Sequence, residues 1–189
     1  KKQAKTKLIF FSTSEVYSNN YRFNFSKIPF KEKENILIPS QILGRDSYFL
    51  SKIFAEKLCQ ISNIDYICFR LHNIYGPRMG NSHVIPQLID KFLKFNNKAV
   101  KVFSPNHTRS FCYIDDAIKQ ILLISFKKNT KYKTYNIGND TEEIKIYDLA
   151  KTIKKIIISK KKLIKCEVTP GSPKRRKPSI KRFTGEFKN

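Results

Sequence analysis

Tyr48 and Lys52 form a pair of side chains whose types and spacing could do chemistry. Residues four apart lie on one face of an α-helix, so the phenol and the ammonium group would lie side by side. An adjacent cation stabilises a phenolate, and a phenol in such surroundings can accept or donate a proton near neutral pH. The same spacing also occurs on the exposed face of ordinary amphipathic helices, so the pair alone leaves both interpretations open.

A run of hydroxyl groups and one carboxylate follows the first apolar segment of the chain. Residues 7–12 are a short, continuous apolar run of the kind that predicts a strand buried on both faces, and Thr13, Ser14 and Glu15 come directly after it. Open parallel sheets bind their ligands at the carboxyl ends of strands. The hydroxyl groups could donate hydrogen bonds there and Glu15 could act as an acid or base, although a plain polar turn has the same composition.

Asn73 and two arginines lie in short polar segments further along the chain. Asn73 follows the second apolar run, residues 65–71, and Arg109 precedes a short apolar segment. Arg176 belongs to the basic stretch Lys-Arg-Arg-Lys-Pro-Ser, residues 174–179. A guanidinium group can bind phosphate through two parallel hydrogen bonds, while a surface salt bridge or a solvated basic tail explains the same arginines without a ligand.

Histidine and cysteine residues do not show the spacing of a metal site. The histidines are His72, His83 and His107, and the cysteines are Cys59, Cys68, Cys112 and Cys166. Because neither set has ligand spacing and no Cys-x-x-Cys motif is present, we expect no metal and no disulfide framework. Asp115 and Asp116 are interpreted as acids that cap a helix and offset its dipole.

The elements that must position these residues alternate between strands and helices. The patterns predict strands at residues 7–12, 65–71, 99–103, 134–137 and 165–168, and helices at 46–62, 84–95, 115–126 and 146–157. In the first helix, Leu50, Phe54, Leu58 and Ile61 form the expected buried stripe. Residues 18–44 and the chain after Pro170 are predicted as loops. This alternation predicts an α/β fold with a parallel sheet.

Length and composition limit the possible classes of protein. A chain of 189 residues with 40% hydrophobic residues suits one domain, or one domain with a smaller lobe. No run approaches the roughly 18 apolar residues of a membrane span. The cysteine usage favours a reducing, cytoplasmic location. The net charge of +23 comes mainly from scattered lysines, which predicts no specific nucleic-acid binding but suits a small anionic substrate.

The order of these segments resembles that of the NAD-dependent epimerase/dehydratase family, the extended short-chain dehydrogenase/reductases that act on nucleotide sugars. The matching pieces are Ser-Thr-Ser-Glu-Val-Tyr, the Tyr-x-x-x-Lys helix, Arg-x-x-Asn-x-Tyr-Gly-Pro, Arg-x-Phe-x-Tyr-x-Asp-Asp, Tyr-Asn-Ile-Gly-Asn and Arg-Arg-x-Pro-Ser. They run from about residue 7 to residue 182, nearly the whole chain.

The resemblance implies a role for each matched residue. Thr13 would bond the 4-oxygen of the sugar, with Ser14 and Glu15 beside it, and Tyr48 would take the proton of the 4-hydroxyl. Lys52 would favour the phenolate and hold the nicotinamide ribose, so Tyr48 and Lys52 also belong to the cofactor site. The nucleotide and its pyrophosphate would be held by Asn73, Arg109 and Arg176. The cofactor would be NAD, which supplies the redox chemistry of C4 oxidation.

The resemblance also implies an architecture and partners. Residues 1–79 would be the C-terminal half of a Rossmann domain, with its parallel sheet. Residues 80–189 would form mainly a small mixed α/β lobe for the nucleotide sugar, with about 109–137 returning to the Rossmann domain. We therefore expect a nucleotide-diphosphate sugar as the substrate, a homodimer when complete, a cytoplasmic location, and neither a specific nucleic acid nor a membrane as partner.

The sequence departs from the family in its glycines. The family opens with a Gly-x-x-Gly-x-x-Gly turn that receives the cofactor phosphates. Here the glycines stand at 44, 76, 80, 138, 171 and 185, with no such cluster, and the only methionine is Met79. We therefore expect an N-terminally incomplete chain, which could be an inactive fragment.

The strand end and the basic tail bear on the reaction. Thr13, Ser14 and Glu15 resemble the strand end of nucleotide-sugar dehydratases and of UDP-glucuronate decarboxylases, and Arg176 resembles the decarboxylase tail. The sequence thus predicts an epimerase/dehydratase, with a decarboxylase-like enzyme as the alternative.

Overall fold

Strands and helices alternate through most of the chain, in a computed structural model that describes residues 6–25, 27–94, 98–128, 130 and 133–187. The helices are α1 Ser18–Arg22, α2 Ser47–Ile61, α3 Val84–Leu93, α4 Ile114–Phe126, α5 Ile146–Ile156 and α6 Lys181–Phe187. The strands are β1 Lys7–Thr13, β2 Asp65–Leu71, β3 Ile74–Tyr75, β4 Ala99–Val102, β5 Thr108–Arg109, β6 Cys112–Tyr113, β7 Lys133–Ile137, β8 Ile144–Lys145, β9 Lys162–Lys165 and β10 Arg175–Arg176.

The main sheet is parallel, with the strand order β1-β2-β7. Ser12 of β1 and Asn136 of β7 both pair with Arg70 of β2, so the carboxyl ends of the three strands lie at one edge of the sheet. The predicted α/β fold with a parallel sheet is therefore confirmed. Side chains that follow these strand ends are placed where such sheets bind ligands.

The central strand β2 is buried on both faces, as its apolar run predicts. Cys68 packs with Cys59 of α2 on one face. On the other face, Ile67 and Phe69 pack with Ile124 of α4 in a second core cluster. Successive side chains of a strand point to opposite faces, so a strand between two helix layers needs a nearly continuous apolar run.

Strand β1 differs from its prediction because it lies at the end of the sheet order. Leu8, Ile9 and Phe11 are all partly exposed, and β2 covers only one side of the strand. In the described part of the chain, no strand pairs with the other edge of β1. The prediction that this strand is buried on both faces was therefore wrong, because an apolar run reports composition and not the number of neighbours.

Helix α2 buries a different face from the predicted one. The buried residues are Phe49, Ile53, Glu56 and Cys59, while Phe54, Leu58 and Ile61 are exposed. The two stripes differ by about one residue, or roughly 100° of rotation. The prediction was wrong because an apolarity pattern counts Glu56 as a surface residue, whereas this carboxylate is buried by its ion pair with Arg70.

A second packing unit lies around the parallel pair β4 and β9. Helices α3 and α5 cover this pair. Buried side chains from the helices and the strands, among them Leu88, Val100 and Leu149, form a separate core cluster. The arrangement is compatible with the predicted small lobe, but the domain boundaries at 79, 80, 109 and 137 stay a prediction.

Four smaller features differ from the sequence expectations. Helix α1 lies within the predicted loop 18–44, and the last long strand is β9 and not 165–168. The chain after Pro170 includes β10 and α6, although it was predicted as a loop. Helix α3 ends at Leu93, while the predicted end of that helix, residue 95, lies outside the described residues.

Within the described ranges, none of the helices combines the length and the apolarity needed to cross a membrane. The same residues include no group of three or more His, Cys, Asp or Glu side chains placed to hold a metal ion.

Candidate active site

The carboxyl end of β1 presents the predicted hydroxyl and carboxylate groups in a single turn. Thr13 Oγ1 accepts a hydrogen bond from the backbone amide of Glu15 at 3.2 Å, which caps the 3-10 turn Ser14–Tyr17, and Ser14 is buried. The Glu15 carboxylate accepts a hydrogen bond from Ser18 Oγ at 2.8 Å. This carboxylate is therefore held in place at the strand end, where the sequence predicts it.

Tyr48 and Lys52 lie on the same face of α2, next to that strand end. Lys52 Nζ lies 5.9 Å from the centre of the Tyr48 ring. It also donates a hydrogen bond to the carbonyl oxygen of Phe11 in β1 at 2.9 Å. Tyr48 is 53% exposed, so its ring is open to a ligand. Lys52 thus links the helix that carries the phenol to the strand that carries Thr13.

A cleft of about 720 Å³ lies beside these residues. Glu15, Tyr48 and Arg176 line it, together with Ser18, Asn19, Tyr21, Arg22, Leu43, Asp46, Phe49, Gly171, Ser172 and Pro173. Thr13 lies two residues before Glu15, and Lys52 lies about one helical turn beyond Tyr48. Of the predicted acid–base residues, the structure places Glu15 and Tyr48 in the cleft, while Thr13, Ser14 and Lys52 are not among the described residues that line it.

Arg176 lines the cleft on the side of the C-terminal segment, whereas Arg109 is not among the described residues that line the cleft and borders a separate cavity. Arg176 Nη1 forms an ion pair with Glu15 Oε1 at 2.7 Å. Arg109 pairs with Arg176 across the β5–β10 ladder, and its Nη2 donates to Ser172 Oγ at 3.1 Å. Burial, and then the positive charge of Arg176, lower the pKa of Arg109 to about 10.

Arg109 donates its described hydrogen bonds to neutral oxygens, the Thr108 carbonyl at 2.7 Å and the Ser172 hydroxyl. Among the described residues it has no direct ion pair with a carboxylate. A guanidinium whose proton affinity is lowered by burial and by a second guanidinium is stabilised when an anion binds between them. This pair is therefore suited to an anionic ligand.

Asn73 has mainly a structural environment. Its side-chain amide donates a hydrogen bond to the backbone carbonyl of Ser110 at 2.9 Å. Its backbone carbonyl accepts a hydrogen bond from the backbone amide of Cys112 at 3.2 Å. Its backbone has a φ of 44°, a left-handed conformation that asparagine tolerates better than most residues. In the part of the chain that the structure describes, Asn73 is not among the residues that line the cleft.

The sequence interpretation missed Ser172 and Tyr21, both of which line the cleft. Ser172 Oγ contacts both Arg109 and His107, and the Tyr21 hydroxyl accepts a hydrogen bond from the Lys174 amide. Both residues lie outside the periodic patterns on which the predictions rest. The tail motif that contains Arg176 was the only signal that placed the C-terminal segment near the site.

A buried polar network connects the carboxyl ends of the strands in the main sheet. Arg70 donates to both oxygens of Glu56, at 3.0 and 2.6 Å, and to the Tyr17 hydroxyl at 2.7 Å. The Tyr17 hydroxyl and His72 Nε2 both approach Asn136 Oδ1 at 3.1 Å. Because these residues belong to β2, β7, α2 and the strand-end turns, the network holds those elements in one arrangement.

Comparison with known proteins connects this geometry to a family. Residues 1–138 match the NAD dependent epimerase/dehydratase family. The dTDP-D-glucose 4,6-dehydratase of Dictyostelium discoideum is 34% identical over 166 residues, covering 80% of this chain and 35% of that protein. UDP-glucuronic acid decarboxylase 6 of Arabidopsis thaliana is 29% identical over 187 residues, covering 95% of this chain and 51% of that protein. The chain thus spans about half the length of these relatives, or less.

Solved structures show the same fold. The UDP-glucuronic acid 4-epimerase of Bacillus cereus, in complex with UDP-glucuronic acid and NAD, aligns with a TM-score of 0.71 and 26% identity, covering 95% of this chain and 54% of that one. The dTDP-glucose 4,6-dehydratase DesIV of Streptomyces venezuelae aligns with a TM-score of 0.75 at 18% identity, covering 96% of this chain and 53% of that one, a likeness of fold alone. These neighbours confirm the predicted Rossmann-type fold. Since the family match covers well over half of the chain, this protein belongs to the NAD-dependent epimerase/dehydratase family.

Proposed function

We propose that this chain forms the substrate-binding and acid–base part of a nucleotide-sugar enzyme that oxidises C4 of the sugar, in the epimerase/dehydratase class. The observation that carries the proposal is the cleft that Glu15, Tyr48 and Arg176 line together. A phenol, a carboxylate and a guanidinium group in one cleft are the parts that such a reaction needs.

The residues at the strand end act on the 4-hydroxyl group. Tyr48 takes the proton of that hydroxyl, and Thr13 bonds the 4-oxygen. Lys52 lies beside this phenol, with its ammonium group 5.9 Å from the centre of the Tyr48 ring. An ammonium group has three donors, and one of them is used by the Phe11 carbonyl, so two stay available for ribose hydroxyls.

The residues present fit the nicotinamide ribose end of NAD through Tyr48 and Lys52. Bound NAD supplies the hydride acceptor for the oxidation of C4. The phosphates of such a cofactor are usually received by a glycine-rich turn and a helix N-terminus, and the glycines of this chain form no such cluster. We therefore assign to this chain the ribose contacts of the cofactor and no contact with its phosphates.

The diphosphate of the substrate would be held by Arg109 and Arg176. Both guanidinium groups belong to paired strands, and the pKa of Arg109 is lowered by its burial and by Arg176. A diphosphate between them relieves this repulsion and accepts hydrogen bonds from both groups. Asn73, the third residue of the predicted substrate site, would act by holding the adjacent segment through its bond to Ser110.

A decarboxylase is a second candidate, and the ion pair between Arg176 and Glu15 favours it. Once C4 is a ketone, a carboxylate at C6 can leave as carbon dioxide when the C5–C6 bond breaks. The electron pair moves toward the C4 oxygen, and a proton must then reach C5. A guanidinium group beside the strand end can bind the departing carboxylate and stabilise the charge on the C4 oxygen.

Binding of nucleotide sugars to the isolated chain tests the proposal. In calorimetric titrations we expect UDP-glucuronate and UDP to bind at one site per chain. Arg109→Gln should weaken both by about tenfold or more, because a charge-assisted contact with phosphate is lost. Arg175→Gln is the matched control. Arg175 precedes Arg176 in the chain, but its guanidinium group forms an ion pair with Glu143 at 2.7 Å. Equal affinities in all three proteins would contradict the proposed substrate site.

A further inference from the structure

A basic concavity with an isoleucine at its rim lies at the C-terminal end of α5, outside the cleft. It has a volume of about 800 Å³, and five lysines line it around Ile158. They are Lys151, Lys154, Lys155, Lys160 and Lys162, and we name them together with Ile158 the lysine–isoleucine surface. None of these residues belongs to the family motifs or to the candidate active site.

Ile158 is exposed at a position where its backbone is strained. It is 87% exposed, and its φ is 55°, in the left-handed region. Its amide donates to the Lys155 carbonyl at 3.2 Å in the turn that ends the helix. Such turns usually place glycine or asparagine there, because a β-branched side chain crowds the backbone at positive φ. Strain of this kind is a starting point for a functional hypothesis.

The surroundings of Ile158 do not bury it within the chain. Ile156, two residues earlier, is 74% exposed. The inner face of α5, which includes Leu149 and Ile153, packs in the core of the second unit, so the helix has already buried its apolar face. Two aliphatic side chains are therefore left in water at the tip of a helix that does not need them for packing.

The charge around this tip is strongly positive. Asp148 is an acidic neighbour on α5, and it forms an ion pair with Lys151 at 3.1 Å. The ring of Tyr147 lies between Lys151 Nζ at 5.0 Å and Lys165 Nζ at 4.8 Å. The surface therefore combines several ammonium groups with the exposed aliphatic side chain of Ile158, and this combination suits a partner that is anionic at its face and apolar just below it.

We propose that the lysine–isoleucine surface binds the headgroup layer of an anionic lipid bilayer. Ile158 enters the boundary with the acyl chains, and the lysines lie at the level of the lipid phosphates, which their long apolar stems allow. A nucleic-acid site fits less well, because the Tyr147 ring, on which a base could stack, already has the ammonium groups of Lys151 and Lys165 over it. Arginine, which duplex-binding proteins often use, is not among the described residues that line the concavity. The contact lies at the surface of the bilayer, and it differs from the sequence expectation of no membrane partner.

Sedimentation with lipid vesicles tests this proposal on the whole chain. Wild-type protein should bind vesicles that contain phosphatidylglycerol, more weakly as salt rises, and should bind pure phosphatidylcholine vesicles little. Ile158→Asn should weaken binding about tenfold, because an aliphatic group that entered the bilayer is lost. Asparagine tolerates positive φ, so this variant should unfold at the same temperature as wild type or a higher one. That result excludes misfolding as the cause of weaker binding.

Ile61→Asn is the matched control, because Ile61 is also strongly exposed, at 78%, but lies at the end of α2. This variant should bind vesicles like wild type. The double variant Lys154→Gln, Lys155→Gln should lose binding to anionic vesicles by about tenfold or more at low salt. Equal binding by wild type and Ile158→Asn would overturn the proposal, as would equal binding to both vesicle types. A single-stranded RNA that binds more tightly than the vesicles, with no effect of Ile158→Asn, would show a nucleic-acid surface instead.

Discussion

At the scale of single residues, Glu15 is the group that separates the reactions open to this family. It lies in the cleft, paired with Arg176 at 2.7 Å and bonded by Ser18 at 2.8 Å. An epimerase needs no base at C5 after the oxidation of C4, whereas a dehydratase must remove the C5 proton. A carboxylate at the strand end is suited to that step.

We predict that Glu15→Gln abolishes dehydration, which needs a base at C5, but leaves the oxidation of C4 measurable. The amide keeps the shape of the side chain and loses its basicity and its charge, so the step at C5 fails while Tyr48 and Thr13 act as before. Absorbance of NADH checks this, measured with excess NAD and a nucleotide sugar that carries a hydroxyl group at C6, the leaving group of the dehydration. Asp90→Asn on the exposed face of α3 is the control and should not change turnover. If Glu15→Gln still interconverts 4-epimers at the wild-type rate, the protein is a 4-epimerase and the role of Glu15 at C5 is contradicted.

His72 makes the stability of the fold depend on pH. Burial, the largest cause, and the charges of Arg176 and Arg70 lower its pKa to about 3, against the hydrogen bond with Asn136, which raises it. The ordinary pKa of histidine is about 6.5, so the unfolded chain binds this proton before the folded chain does. Stability is therefore complete above about pH 6.5 and is lost progressively as the pH falls toward 3.

We predict a decrease of up to about 1.4 kcal/mol in unfolding free energy for each pH unit from His72 below pH 6.5. Urea unfolding between about pH 5 and pH 7 measures this slope, because Glu56, Glu143 and Glu186, whose pKa values are lowered, stay ionised there. His107, whose pKa burial also lowers, contributes in the same direction. His72→Gln should reduce the slope, and the exposed His83→Gln should not. An unchanged slope in His72→Gln would contradict the assignment.

At the scale of elements, the contact between α2 and β2 decides where α2, the helix that carries Tyr48 and Lys52, lies. Glu56 and Arg70 are almost completely buried and form an ion pair at 2.6 Å. Burial alone would raise the pKa of Glu56, but its hydrogen bond and charge interaction with Arg70 lower it overall. This pair turns the helix so that Tyr48 and Lys52 face the cleft and the strand end, while Phe54 and Ile61 face outward.

We predict that Glu56→Ala destabilises the protein by about 3–5 kcal/mol, because it leaves the Arg70 charge buried without a partner. The control is Asp90→Ala, which breaks the pair with Lys94 at 2.6 Å on the surface of α3. That pair is exposed on both sides, so its loss should cost less than about 1 kcal/mol. Urea unfolding at neutral pH measures both. Similar losses in the two variants would show that the buried pair has no special part in placing α2.

Periodicity predicted the elements well where packing is symmetrical and less well elsewhere. The run 65–71 matches β2, which has helices on both faces, and residues 146–157 match α5 to within one residue. The same method failed at β1, which lies at the end of the sheet, and at α2, whose buried face contains a charged residue. The number of neighbours and the presence of an ion pair depend on contacts between distant segments, which a local pattern does not record.

The candidate site could be predicted in part for the same reason. The positions of Glu15, Tyr48 and Arg176 follow from motifs whose order along the chain is informative, and the structure brings them to one cleft. Ser172 and Tyr21 carry no such signal, because a hydroxyl group in an irregular segment has many other uses. Only the three-dimensional contact of Ser172 with Arg109 identifies it.

At the scale of the whole molecule, the distribution of polar groups around the main sheet is uneven. The carboxyl ends of β1, β2 and β7 carry the buried network and the cleft. The outer edge of β1 carries partly exposed apolar side chains. Under the proposed function, the chain supplies residues for a nucleotide sugar and for the ribose end of a dinucleotide, while its glycines are spread singly over the sequence.

We therefore predict that this chain by itself binds NAD weakly and no better than nicotinamide mononucleotide. Tyr48 and Lys52 offer contacts to the nicotinamide ribose, which both compounds contain. The rest of NAD needs a glycine-rich turn whose amides receive the pyrophosphate, and the glycines at 44, 76, 80, 138, 171 and 185 provide none. Calorimetric titration should give dissociation constants of about 1 mM or weaker for both compounds, within about threefold of each other. UDP-glucuronate, titrated in the same buffer, confirms that the protein is folded and competent. Micromolar binding of NAD, much tighter than that of the mononucleotide, would mean that other backbone amides of this chain form a phosphate site.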